Sequence, residues 1–199
     1  GSFEKKAQFN ELILYDKPIK PIISRLTGIT TEQVRSAKPA GLVLSNFWRW
    51  IEECTNDSAR TILLGTNIAT FDLSFIFMQS IREGAQIPSS LWYVDVLPIF
   101  KSNWSKPHSL GHMYHRLLDT ELIGAHDALN DCTAVIDICN SLKFQDKCSM
   151  KQVLQQRKTV LSLYQKWRLR YRLLCGKRAA TTADTSSVVC EITRNNFHL

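Results

Sequence analysis

No stretch of this chain is long, apolar and uncharged enough for a membrane-spanning helix, and the N-terminus lacks the basic, apolar and small-residue order of a signal peptide. A soluble domain with no membrane span is the expectation. An address segment stays open, because the chain begins at Gly1-Ser2-Phe3 and not at a methionine. The cysteines are scattered: Cys54, Cys132, Cys139, Cys148, Cys175 and Cys190 form no Cys-x-x-Cys pair and no regular framework. Reduced thiols follow as the simpler reading, and with them an intracellular location, cytoplasmic or nuclear. There is no internal repeat.

Acidic residues nearly vanish from one part of the chain. Residues 1–142 hold 13 Lys/Arg against 15 Asp/Glu, residues 143–178 hold 11 against 1, and residues 179–199 hold 1 against 2. The formal net charge of +7 therefore comes from Lys143 to Arg178. The 199 residues suit one domain with an appendage. We expect a domain over 1–142, a basic helical extension over 143–178 and a flexible tail over 179–199, where small polar residues have no apolar period. In the extension Val153, Val160, Leu161, Tyr164, Trp167 and Leu174 recur at roughly helical offsets, so one stripe packs on the domain or on a partner, and Gly176 ends the run. Its charges have two readings, an arm that follows phosphates or an ordinary solvated face. An acidic protein or an anionic membrane surface is a further target for such a helix.

Apolar patterning in the rest of the chain alternates between strand and helix. Strands are expected near Phe9–Leu14, Thr61–Leu64 and Trp92–Asp95, with helices near Thr31–Arg35, Leu42–Cys54, Asp72–Glu83, Ser109–Leu118 and from Asp127 onward. This is a mixed α/β domain.

The chemistry concentrates in two segments. Ala125-His126-Asp127-Ala128-Leu129-Asn130-Asp131 sets an imidazole and a hard carboxylate at a short fixed offset. Upstream, Ile62-Leu63-Leu64-Gly65-Thr66-Asn67-Ile68-Ala69-Thr70-Phe71-Asp72 runs from an apolar strand through a loop to a carboxylate at a helix start. Capping is the ordinary explanation for Asp72 and for Asp127, since a helix start welcomes a negative acceptor. Asp131 falls one turn inside an otherwise apolar helix and needs a partner. A shared divalent cation is one such partner, and oxygen-only ligation suits Mg²⁺ or Mn²⁺ better than zinc. Two such ions about 4 Å apart can hold the attacking and leaving oxygens of a phosphoryl transfer while a neutral His removes a proton from water.

Taken in order, five segments resemble the DEDDh family of 3′–5′ exonucleases, which includes bacterial proofreading subunits and animal three-prime repair exonucleases. They are Leu26-Thr27-Gly28-Ile29-Thr30, Gly65 to Asp72, Tyr93-Val94-Asp95-Val96-Leu97-Pro98, Ser109 to Leu117, and His126 to Asp131. The resemblance implies a ribonuclease-H-like mixed sheet flanked by helices. It implies Asp72 and Asp131 as metal-site carboxylates for two divalent cations, Mg²⁺ or Mn²⁺, and His126 as general base. Leu26 and Thr27 correspond to residues that wedge against terminal bases, Asn67 to the Asn of the second motif, and Phe71 to a substrate contact. For Leu26 and Phe71 core packing is the competing reading. The implied substrate is nucleic acid with a free 3′ end, single-stranded or frayed DNA first and RNA as the alternative. A homodimer is implied only by the repair exonucleases.

Two departures stand out. The family's first motif, an Asp-x-Glu on the opening strand, is not found: Asp119-Thr120-Glu121 imitates it from a connection just before His126. Thr66 stands where a His often precedes the Asn of the second motif. Either the chain is a fragment of a longer protein or the domain has lost catalysis and kept its nucleic-acid surface, and on both readings it has little or no activity by itself. An unrelated α/β protein with capping carboxylates is the third reading.

Overall fold

The computed structural model describes residues 2–55, 61–167 and 169. Its centre is a small mixed sheet in the order β1-β2-β3, where β1 is Ile62–Gly65, β2 is Trp92–Asp95 and β3 is Lys158–Thr159. β1 and β2 run parallel, from Ile62 opposite Trp92 to Gly65 opposite Asp95, while β3 lies antiparallel to β2. Parallel neighbours need a crossover, and a helix between the two strands supplies it.

Side chains alternate across a strand, so each strand feeds both faces of the sheet. Val94, with Ile62 and Leu64, packs into one cluster, and Tyr93, with Leu63, packs into another. Helices cover both faces. In chain order they are α1 (Pro21–Thr27), α2 (Thr31–Arg35), α3 (Ala40–Glu53), α4 (Asp72–Glu83), α5 (Leu97–Asn103), α6 (Leu110–Leu118), α7 (Ala128–Asn140), α8 (Leu142–Gln145) and α9 (Met150–Gln155). The Tyr93 side holds α3 and α4 through Trp48, Ile51, Leu73 and Phe77. The Val94 side holds α5, α6 and α7 through Phe100, Met113, Leu117, Val135 and Ile138. A mixed sheet flanked by helices is therefore the architecture, as the resemblance implied.

α4 shows how sequence produces this packing. Leu73, Phe77 and Ser80 recur at helical spacing and are buried, and Gly84, at φ 70, ends the helix by donating to the Ser80 carbonyl. Ser80 is polar but satisfied, because the Trp48 indole N–H donates to its hydroxyl at 3.2 Å and links α3 to α4.

The expected strand at Phe9–Leu14 is irregular chain with a single isolated bridge, Ile13 to Lys38. Its backbone bonds go to the turn after α2, with Leu14 N–H donating to the Lys38 carbonyl at 2.8 Å. Phe9 spends its side chain on Phe47 and Trp50 of α3, at ring separations of 5.5 and 5.7 Å. The segment thus braces a helix and lies outside the described sheet.

Beyond Leu142 the chain returns to the same core. Phe144, Cys148 and Val153 join the Val94 cluster, while Val160 joins the Tyr93 cluster, with Tyr164 and Trp167 packed against it. Residues 160–167 are helical. Leu174, Gly176 and the proposed tail at 179–199 lie outside the described residues. Among those described, no helix is long and apolar enough to cross a membrane.

Phe144 carries a test of this packing. It is fully buried, stacks on Trp104 at 5.8 Å and meets Phe100 edge-on at 6.3 Å. Phe144→Ala is expected to cost about 3–5 kcal/mol in urea unfolding, the usual range for a buried Phe. A loss below about 1 kcal/mol, the level of an ordinary surface substitution, would show that α8 is not part of the cooperative core.

Candidate functional site

Two turns at the ends of buried elements carry the acidic residues. The first follows β1. Gly65 is closely packed there: a Cβ would lie 3.0 Å from Ile68 side-chain atoms, which would have to give way by a few tenths of an ångström. The chain then passes through Asn67 in the left-handed region, at φ 58. Asp95, opposite Gly65 in the sheet, fixes this turn: one of its carboxylate oxygens accepts from Asn67 N–H at 2.8 Å and from Leu97 N–H at 3.0 Å. Phe71 N–H and Leu73 N–H donate to the carbonyls of Asn67 and Ile68, closing the turn and delivering Asp72 to the first residue of α4. Asp72 stands inside the first turn, where the helix dipole favours its charge, and the preceding cap position belongs to Phe71.

The second turn precedes α7. A Cβ on Gly124 would come within 2.4 Å of the Asn130 side-chain nitrogen, which donates to the Gly124 carbonyl at 3.2 Å. His126 is left-handed at φ 72. Asp127 caps α7 by accepting from Asn130 N–H at 3.0 Å. One turn on, the Asp131 carboxylate accepts from the His126 backbone N–H at 3.2 Å, so Asp131 holds the His126 backbone in place.

The turns act on one another. Burial pushes the Asp72 carboxyl above its ordinary range, its own backbone N–H opposes that shift, and the negative charges of Asp95 and Asp131 push it further up. Although Asp72 is exposed by surface area, enough protein crowds its carboxyl to make lost hydration the leading cause. Beside Asp131, the Cys132 thiol is also raised, first by burial and then by Asp72, Asp131 and Asp127, with Lys5 acting the other way.

Of the residues expected at the site, Asp72 and Asp131 thus come within electrostatic reach, His126 is tied to Asp131, and Asn67 is tied to Asp95. Phe71 is 46% exposed and meets Phe75 edge-on at 5.1 Å. Leu26 is 47% exposed on α1. The Thr27 hydroxyl donates to the Ile23 carbonyl at 2.9 Å and accepts from Ile29 N–H at 3.2 Å, both bonds local to α1 and the turn after it. Asp95 carried no role in the sequence reading beyond membership of a matching segment. Its position at the end of an apolar strand, just before Leu97-Pro98, was the signal available.

Among the described residues, no three His, Cys, Asp or Glu side chains converge closely enough to hold a metal ion. Asp72 and Asp131 offer hard oxygens suited to one weakly held cation that keeps its waters. One oxygen of Asp95 is engaged by two backbone N–H groups. Asp119-Thr120-Glu121 does not replace the absent acids: Asp119 closes α6 in a left-handed conformation and pairs with Lys143 at 2.5 Å, and Glu121 lies 3.5 Å from His115.

A mixed sheet between helices is consistent with the ribonuclease-H-like class. Within that class the chain belongs to the exonuclease family, since the family model described as Exonuclease (RNase_T) matches residues 1–139. It is similar to the PolC-type DNA polymerase III of Streptococcus sanguinis (strain SK36), at 34% identity over 113 residues covering 55% of this chain and 7% of the polymerase. The PolC-type DNA polymerase III of Streptococcus suis (strain 98HAH33) is 31% identical over 112 residues, with the same two coverages. The match therefore spans only a small part of these relatives' length. What the family shows is a nuclease domain.

The raised Asp72 carboxyl has a signed consequence. Its folded-state pKa lies above the unfolded value, so ionisation costs the folded state stability as pH climbs through that interval. In EDTA at pH 7, Asp72→Asn is expected to melt at a higher temperature than the parent. The gain should fade at a pH well below the ordinary carboxyl range, where both states hold the proton. An equal difference at both pH values would show that charge at Asp72 is not its origin.

Proposed function

We propose that this chain is a metal-dependent 3′–5′ exonuclease domain of the DEDDh type, hydrolysing phosphodiester bonds at 3′ ends of DNA, single-stranded or frayed, with RNA as a second substrate. The observation that carries the reading is that Asp72 and Asp131, from two separate helix starts, lie within electrostatic reach of each other, with the His126 backbone bonded to Asp131. On this reading Asp72 and Asp131 are the metal-site carboxylates and Mg²⁺ or Mn²⁺ is the cation. His126 is solvent-exposed and free to take a proton from an attacking water. Phe71 offers an exposed ring on which a base of any identity can stack, Leu26 and Thr27 meet the terminal bases, and Asn67 supports the same end. The two carboxylates do not suffice for a two-ion centre. The chain by itself therefore binds nucleic acid and turns it over slowly or not at all.

A non-catalytic nucleic-acid-binding or protein-interaction module on this fold is the second reading. It draws on the same exposed residues, among them the Phe71 ring, and asks for no metal centre.

Mg²⁺-dependent digestion of a single-stranded oligonucleotide labelled at its 3′ end separates these readings. The purified chain is expected to bind without appreciable cutting. Fusing an apolar strand bearing Asp-x-Glu ahead of Gly1 should bring stepwise loss of 3′ nucleotides, and His126→Ala in that background should slow cutting about 10²–10⁴-fold with binding retained. Brisk digestion by the unmodified chain would overturn the proposed inactivity, and binding without digestion in the fused protein would favour the second reading.

A further inference from the structure

We propose that the exposed lysines Lys147, Lys151, Lys158 and Lys166 contact phosphates and supply a large share of the chain's metal-independent affinity for single-stranded nucleic acid. The proposal rests on the nuclease reading for the identity of its partner, and on charge and burial for its location.

Residues 143–167 hold six Lys/Arg and one acidic residue, Asp146. Burial orients this segment. Phe144, Cys148, Val153 and Val160 are turned into the core, whereas Lys147, Lys151, Lys158 and Lys166 are all exposed. The apolar residues thereby anchor the segment to the domain and leave these ammonium groups in solvent. Two other cations of the segment have structural partners. Lys143 pairs with Asp119, and Arg157 lies 5.3 Å from the Trp92 ring centroid and donates to the Leu154 carbonyl at 3.0 Å. Among the described residues the four exposed lysines form no ion pair, so phosphates would not have to displace a carboxylate.

The acidic site sharpens the inference. Residues 1–142 carry a net negative charge, and Asp95 and Asp131 both act on Asp72 there. Without cations that region repels a polyanion. Residues 143–178 hold 11 Lys/Arg against one acidic residue, and these four lysines are exposed cations of that stretch without an ion pair among the described residues. Lysines contacting phosphates release counterions whatever the base, so affinity should fall steeply with salt.

The test is fluorescence anisotropy of a labelled oligo-dT strand in EDTA, titrated with the full 199-residue chain from about 50 to 200 mM salt, the range over which counterion release changes affinity strongly. Lys147→Gln/Lys151→Gln and Lys158→Gln/Lys166→Gln are measured as separate pairs and then combined, with circular dichroism confirming the fold of each. The combined variant should bind at least tenfold more weakly at the low salt. Its log–log salt slope should be shallower by roughly 3 if all four lysines contact phosphate, at about 0.7 per contact on a single strand. Changing the same four residues to Arg should restore binding. Unchanged affinity and slope in the variants, or tighter binding of the parent to phosphatidylserine vesicles than to the oligonucleotide, would overturn the proposal. These outcomes leave the nuclease reading untouched, because that reading is decided by metal-dependent cutting of a 3′ end.

Discussion

Asp72 stands where its charge is disfavoured: burial, Asp95 and Asp131 all push its carboxyl upward, and its own backbone N–H only partly compensates. A fold that places three acids in this way must hold them from outside the cluster. Parallel pairing of β1 with β2 brings Gly65 opposite Asp95, and two backbone N–H groups fasten Asp95 to the turn on one side and to the start of α5 on the other. α7 brings Asp131 from the opposite helical layer, fixed by the Asp127 cap and the bond from His126. The stability lost at Asp72, first to burial of its carboxyl and then to repulsion from Asp95 and Asp131, is offset by the core.

That core has two halves, one on each face of the described sheet. Tyr93 and Val94 are adjacent yet belong to different clusters, so the short β2 strand separates two helix-packed faces. Residues beyond Leu142 complete both clusters, through Phe144 and Val153 on one side and Val160 on the other. The charge asymmetry of the chain is superimposed on this packing. The segment that closes the core with its apolar residues presents lysines to solvent, while the acids gather where β1, β2 and α7 meet.

Much of this was legible in the sequence because it depends on local rules. The Asp72–Glu83 helix and the Trp92–Asp95 strand fall where periodicity places them, and Asp127 caps α7 as its position predicts. What was not legible depends on contacts distant in sequence. Phe9–Leu14 has a strand-like pattern, but its partners are Lys38, Phe47 and Trp50, and no local rule names them. α1 and α5, at seven residues each, are too short to produce a clear period. Asp95 looked like the end of a strand, and its positioning role appears only when Asn67 is folded against it. Phe71, for which core packing and substrate contact were competing readings, is exposed beside Phe75, a distinction that composition cannot make.

The central claim is that the turns carrying Asp72 and Asp131 form one cation-responsive site. Adding trace Mn²⁺ to isotopically labelled protein and recording which amide signals broaden tests it directly, since two carboxylates hold a hard cation weakly but long enough for paramagnetic relaxation to report it. The account predicts broadening centred on residues 66–72 and 125–132, abolished by Asp131→Asn. Broadening centred elsewhere, or unaffected by that substitution, would contradict it.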